Sequence, residues 1–220
     1  MIRPVHKVAL FVAVVVVLAC ASRADAADRP LRTALRGAAA PVDWGNLTAH
    51  ERVIVLRRWN RAPEAFDALL ARVAPVMSMR RTVGSELAAG NFTAHIIGGD
   101  ERAWRVHLSA AVLTPGSKLG AHITLHELGH VVDGVLAGDA WREAFVAALA
   151  RSPLWRSCIP LPPGSSGRCV SASEIIADQF AFWATARREV RSSYWVPPLL
   201  RRAELGGWFE RLLDEPAAPR

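Results

Sequence analysis

The 220-residue chain carries 27 basic against 20 acidic side chains, a formal charge of +7, and 51% of its residues are hydrophobic. That apolar share excludes an intrinsically disordered chain, and three cysteines are too few for a small disulfide-built scaffold. The basic excess is spread along the chain without a run of five like charges or a nucleic-acid motif, so it reads as a basic surface and argues against a nucleic-acid partner.

Residues 1–7 hold Arg3 and Lys7, residues 8–19 run for twelve positions without a charge, and Ala24-Asp25-Ala26 follows. That order is the order of a secretory signal peptide cleaved after Ala26, which predicts a secreted or cell-surface protein. The apolar run is shorter than the roughly 20 residues that span a bilayer. A second reading takes Val17-Leu18-Ala19-Cys20 as a bacterial lipobox, and only then, with Cys20 lipidated, is a membrane a partner. Removing 26 residues leaves 194 of 220, and the loss of Arg3, Lys7 and Arg23 against Asp25 lowers +7 to +5. This is the length of one domain with a helical appendage. Two cysteines remain, Cys158 and Cys169, and in an exported chain they are expected to form a disulfide across a loop rich in Pro and Gly. Their spacing is not C-x-x-C, so a zinc role for them is weak.

Residues 27–44 are rich in Ala, Arg and Pro without a period, the pattern of a flexible leader or propeptide. Thr48-Ala49-His50-Glu51 is a capping box behind Leu47, and Val53, Ile54, Leu56 and Trp59 continue an amphipathic helix, with His50 on the surface. A second helix is expected from about Asn60, with Pro63 in its first turn and Phe66, Leu69, Leu70 and Val73 buried. The period then shortens to two. Strands are predicted at 81–83, 92–97 and 104–112, the last the clearest because Trp104, Val106, Leu108, Ala110 and Val112 alternate with their neighbours. Thr114-Pro115-Gly116-Ser117 breaks that strand before an apolar helix that ends at Gly138-Asp139. Further helices are predicted at 141–150, at 174–188 behind a cap by Ser171 or Ser173, and at 199–213 after Pro197-Pro198. The pattern is α+β: one domain over 45–215, with an N-terminal helical part at 45–76 and a small twisted sheet.

Within the apolar helix, His126-Glu127-Leu128-Gly129-His130 spells H-E-x-x-H. At 3.6 residues per turn the two histidines share a face and can reach one zinc ion, while Glu127 can polarise a water held there. A catalytic zinc needs a third protein ligand and one open position. Glu174-Ile175-Ile176-Ala177-Asp178 supplies it: Glu174 can ligate while Asp178, one turn on, accepts a hydrogen bond from the outer nitrogen of a histidine ligand. The bland alternative is an exposed acidic helix start favoured by the helix dipole, and the upstream motif tips the balance towards ligation.

With these two motifs, HELGHVVD at 126–133 and SEIIADQFAF at 173–182, the chain resembles the gluzincin zinc peptidases, and most closely the anthrax-lethal-factor-like catalytic domains. The resemblance covers about residues 78–190. It implies a zincin-like fold, zinc held by His126, His130 and Glu174, and Glu127 as the base that activates water and returns the proton to the leaving amine. It further implies an edge strand at 103–112 that binds an extended peptide, so that a peptide or protein is the substrate; a monomer is expected. Gly129 is expected to allow close packing behind the metal helix, and Asp133 either orders the surroundings of the metal or caps a turn. One departure stands out. The family carries a tyrosine about two turns before the glutamate ligand, and here that stretch reads Gly167-Arg168-Cys169-Val170. The single tyrosine, Tyr194, is the replacement candidate for the oxyanion donor, with Arg168, His107 and His122 behind it; His122 is read as a helix-start residue. Two rival functions remain: a zincin scaffold that binds zinc or a partner without hydrolysis, and a peptidase that processes its own leader or one partner.

Overall fold

The computed structural model describes residues 42–82, 94–99, 103–155, 170–185 and 196–215, with backbone alone for 94–99 and Ala103. The signal peptide, Cys20, most of the leader, Cys158, Cys169, Arg168 and Tyr194 all lie outside the described residues. The architecture is α+β. Helices α1 (Ala49–Trp59) and α2 (Glu64–Val73) precede the sheet strands β1 (Met77–Arg81), β2 (Ala94–Gly99) and β3 (Ala103–Leu108). Helices α3 (Lys118–Leu136), α4 (Asp139–Leu149), α5 (Ala172–Thr185) and α6 (Arg202–Arg211) follow. No described helix is long and apolar enough to cross a membrane.

The capping box closes as its spelling requires: Thr48 Oγ1 accepts from the Glu51 N–H at 3.3 Å and the Thr48 N–H donates to Glu51 Oε2 at 2.9 Å. His50 is exposed. Pro63 is the N-cap of α2 and not a first-turn residue, since a proline with extended ψ directs the chain into the helix without needing a donor.

The sheet departs from the sequence pattern in all three strands; β2 runs on through Gly98 and Gly99, past the expected end at Ile97. Its first strand is Met77–Arg81, ahead of the expected 81–83, reached directly from α2 through the 3-10 turn Ala74–Val76. Met-Ser-Met-Arg-Arg has no β-branched residue to betray a strand, yet Met77 and Met79 are buried at 3% and 0% exposure. The long strand stops at Leu108, because Ser109 folds the chain back: its carbonyl accepts from Leu113 N–H at 3.1 Å and its Oγ from Val112 N–H at 3.3 Å. The apparent alternation of Ala110 and Val112 belongs to this turn.

Strand order is β1-β3-β2, with β1 parallel and β2 antiparallel to β3. The strand expected at the cleft edge, 103–112, is therefore the central one. Among the described residues, β2 is the edge next to α3.

A buried guanidinium joins the N-terminal helices to the metal-motif helix. Arg58 of α1 donates to the carbonyls of Gly120, Val112 and Thr114 at 3.1, 2.6 and 3.2 Å and to Thr124 Oγ1 at 2.7 Å. Burial pushes it down to about 10, which leaves it charged near neutral pH. On the other side, α5 lies along α3, and an aromatic row runs from Trp59 through Phe66 and Phe180 to Phe209, centroids 5.1–6.4 Å apart.

Candidate metal centre

Two helices build the site. α3 is capped by Ser117, whose Oγ accepts from the Gly120 N–H at 2.9 Å, and it buries Ile123, Leu125, Leu128, Val131 and Val132. With those residues facing the core, His126 and His130 fall on the remaining face, one turn apart. α5 is capped by Ser171, whose Oγ accepts from Glu174 N–H at 3.3 Å. That leaves Ser173, the other cap candidate, free to face α3. The two helices meet closely at Gly129, where a Cβ would stand 2.9 Å from Ala177 Cα and 3.0 Å from its carbonyl oxygen. One turn past His130, Gly134 accommodates the Trp104 ring of β3, 2.2 Å from where a Cβ would be.

The three predicted ligands converge. His126 Nε2 lies 3.1 Å from Glu174 Oε2 and 3.1 Å from His130 Nε2, and His130 Nε2 lies 3.4 Å from Glu174 Oε1. A tetrahedral zinc with bonds of about 2.0–2.1 Å sets its ligand atoms roughly 3.3–3.4 Å apart. Two neutral imidazole nitrogens and one carboxylate at these separations fit such an ion. The side chains of His126 and His130 are 5% and 15% exposed against 46% for Glu174, so solvent reaches the group from the glutamate side.

His122, His126 and Asp178 form a second cluster that can hold a metal ion, wholly buried. Its bond lengths favour another description. His126 Nδ1 is 2.7 Å from Asp178 Oδ1, shorter than two ligands of one zinc stand apart and normal for a charge-assisted hydrogen bond. His122 Nε2 reaches the same oxygen at 3.2 Å, and the Val196 N–H donates to Asp178 Oδ2 at 2.8 Å. Asp178 is thus a hydrogen-bond acceptor for Nδ1 of His126, the candidate ligand whose Nε2 faces Glu174 and His130. His122 is no helix-start residue: it lies inside α3, 0% exposed, with its ring 4.9 Å from Phe182.

The electrostatics suit a cation. Burial works against a charged His126, yet hydrogen bonds to Asp178 and then Glu174, with the nearby charge of Glu127, raise it to about 10. Glu174 is held well below the carboxylate range by hydrogen bonds from His126 and His130. Asp178 is also lowered, because its bonds from His122 and His126 outweigh a burial that opposes ionisation. Glu127, 8% exposed, sits between the two histidines in sequence on the same helix.

No protein-family model, curated protein or solved structure matches the chain. The site is read from its own geometry.

Asp133 is 5% exposed and is bonded through Oδ2 to Ser173 and through Oδ1 to Arg142. Ser173, Arg142 and the buried placement of His122 are what sequence reasoning missed. A serine beside a helix start signals a cap first, and nothing local says that it faces a histidine 43 positions away. His107 lies on β3, in register with Arg80 of β1, and is not in either metal-capable cluster.

Proposed function

We propose that the chain is an exported zinc metalloendopeptidase of gluzincin type with a zincin-like fold. The observation that carries this reading is the convergence of His126, His130 and Glu174 from two helices at 3.1–3.4 Å, with Glu127 beside them. His126, His130 and Glu174 would hold the zinc, which when bound would lower the pKa of a water and polarise a scissile carbonyl. Glu127 takes the proton of the attacking water and delivers it to the leaving amine. Asp178 fixes the His126 ring with Nδ1 as donor, so that Nε2 presents its lone pair to the ion. Solvent access on the Glu174 side leaves an approach for the substrate carbonyl.

The peptide-binding strand moves in this reading. β3 is paired on both sides, so β2 is the strand placed to add an extended substrate backbone beside α3. Tyr194 remains the proposed donor to the carbonyl oxygen. The Cys158–Cys169 disulfide and cleavage after Ala26 belong to the same proposal, as features of an exported chain.

The test pairs metal content with turnover. Purified wild type is expected to bind one zinc per chain and cleave members of a mixed peptide library, whereas Glu127→Gln retains the zinc and loses at least about a hundredfold in rate. Zinc bound with cleavage no faster than in Glu127→Gln would instead establish the non-catalytic binding scaffold. Intact mass of the secreted wild type and Glu127→Gln proteins tests the self-processing rival, which requires residues 27–44 to be lost only from the active chain.

A further inference from the structure

The two histidines need the same tautomer, and each has a different device to obtain it. To present Nε2 to a metal, a neutral imidazole must carry its proton on Nδ1. For His126 the partner of Nδ1 is Asp178, which as a carboxylate can only accept. For His130 the partner is a hydroxyl: Nδ1 lies 3.0 Å from Ser173 Oγ. A hydroxyl both donates and accepts, so by itself it selects neither tautomer.

The next bond removes the ambiguity. Ser173 Oγ lies 3.2 Å from Asp133 Oδ2, and the other Asp133 oxygen accepts from Arg142 Nε at 2.8 Å while Arg142 also donates to the Asp133 carbonyl at 2.8 Å. Paired with a guanidinium and 6% exposed, the Asp133 carboxylate is fixed as an acceptor. The Ser173 proton must then point to Asp133, which leaves only the oxygen lone pairs for His130 and sets its Nδ1 as donor. We infer that Ser173, Asp133 and Arg142 form a relay that dictates the His130 tautomer, with Ser173 as a positioning residue for the metal ligand.

The relay draws on three helices. Asp133 lies one turn past His130 on α3, Arg142 is in the first turns of α4, and Ser173 directly precedes Glu174 on α5. One hydroxyl thus fixes the ring of one ligand from the backbone that carries another.

This inference rests on the zinc reading, but its polarity can be tested without turnover. Asp133→Asn is nearly isosteric. Its Oδ1 keeps Arg142, while the amide N–H2 replaces Oδ2 and donates to Ser173 Oγ. The hydroxyl proton then turns to His130 Nδ1 and favours the tautomer with the proton on Nε2, which cannot bind metal. Ser173→Ala removes the selection without reversing it. Ser173→Thr keeps the hydroxyl.

Zinc affinity of the four proteins is measured by competition with a chromophoric chelator, and the His130 tautomer is read from 15N–1H long-range couplings in zinc-free protein near pH 8. Outer-shell changes of this kind alter metal affinity by about 10- to 100-fold. Expected are Ser173→Thr close to wild type, Ser173→Ala about tenfold weaker, and Asp133→Asn about a hundredfold weaker with the proton on Nε2. Asp133→Asn binding as tightly as Ser173→Ala, or a wild-type His130 protonated on Nε2, overturns the relay. A wild type that binds no zinc but shows the Nδ1–H tautomer, reversed in Asp133→Asn, would keep the relay and sink the metal reading.

Discussion

Gly129→Ala sets two opposing effects against each other at the contact between the ligand helices. Alanine favours a helix interior over glycine by about 1 kcal/mol. The added methyl, however, would stand 2.9 Å from Ala177 Cα, 3.0 Å from Ala177 O and 3.1 Å from Phe180 Cβ. Unstrained carbon contacts lie near 3.5–4.0 Å, so α3 and α5 must separate by roughly 0.5–1 Å at this level. Two of the three atoms are backbone and cannot rotate aside. Overpacking of this kind costs about 1–3 kcal/mol, so the expected net is a loss of up to about 2 kcal/mol. For a domain of this size that is a fall in Tm of up to roughly 8 °C in the chelated protein. The metal site should suffer more than the fold, because Gly129 adjoins His130 and Ala177 adjoins Asp178. Zinc sites tolerate only about 0.2 Å in their ligand distances, so zinc affinity is expected to drop by tenfold or more (~1.4 kcal/mol) beyond the loss in stability. Thermal melts followed by circular dichroism in chelator, with zinc competition on the folded protein, measure both. A higher Tm with unchanged zinc affinity would refute the argument that contact at Gly129 holds the ligand helices in register.

Two further outcomes follow from the charges. In chelator, the bonded carboxylates Asp178 and Glu174, held below their ordinary 3.8 and 4.5, contribute stability that is present above those values and lost as pH falls. His126, raised from 6.5 to about 10, contributes stability that is present below 6.5 and lost as pH rises towards 10. The zinc-free protein should therefore be most stable between about pH 4.5 and 6.5, with zinc moving the maximum upward as it replaces the proton; a chelated Tm that rises steadily from pH 6 to 9 would contradict this. Arg58→Met removes the guanidinium that donates to the carbonyls of Val112, Thr114 and Gly120 and to Thr124 Oγ1; Gly120 keeps the Thr124 hydroxyl and Thr114 the Ser117 N–H, so the loss falls mainly on the buried Val112 carbonyl and on the charged bonds themselves. A loss of about 2–4 kcal/mol in urea-unfolding stability is expected, and a loss under about 0.5 kcal/mol would show that water replaces the guanidinium.

The parts of the site legible in the sequence are those that a single helix encodes. His126 and His130 share a face because four residues make about one turn, and the apolar residues around them mark the helix as packed into the core. Glu174 and Asp178 are legible for the same reason, once a third ligand is known to be needed. The capping box at Thr48 is local and survives unchanged. What could not be read is whatever depends on packing between elements. The central place of β3 follows from a parallel pairing with Met77–Arg81, a strand without strand-forming residues. The end of β3 is set by the Ser109 turn, although alanine and valine continue its alternation in the sequence. Ser173 and Asp133 lie 40 positions apart and meet only because Gly129 lets α5 lie against α3. The closeness that brings Glu174 to the histidines thus also brings Ser173 to His130. A substitution that loosens the helix pair should accordingly weaken the ligand set and the tautomer selection together, and this coupling distinguishes a built metal centre from three residues that happen to converge.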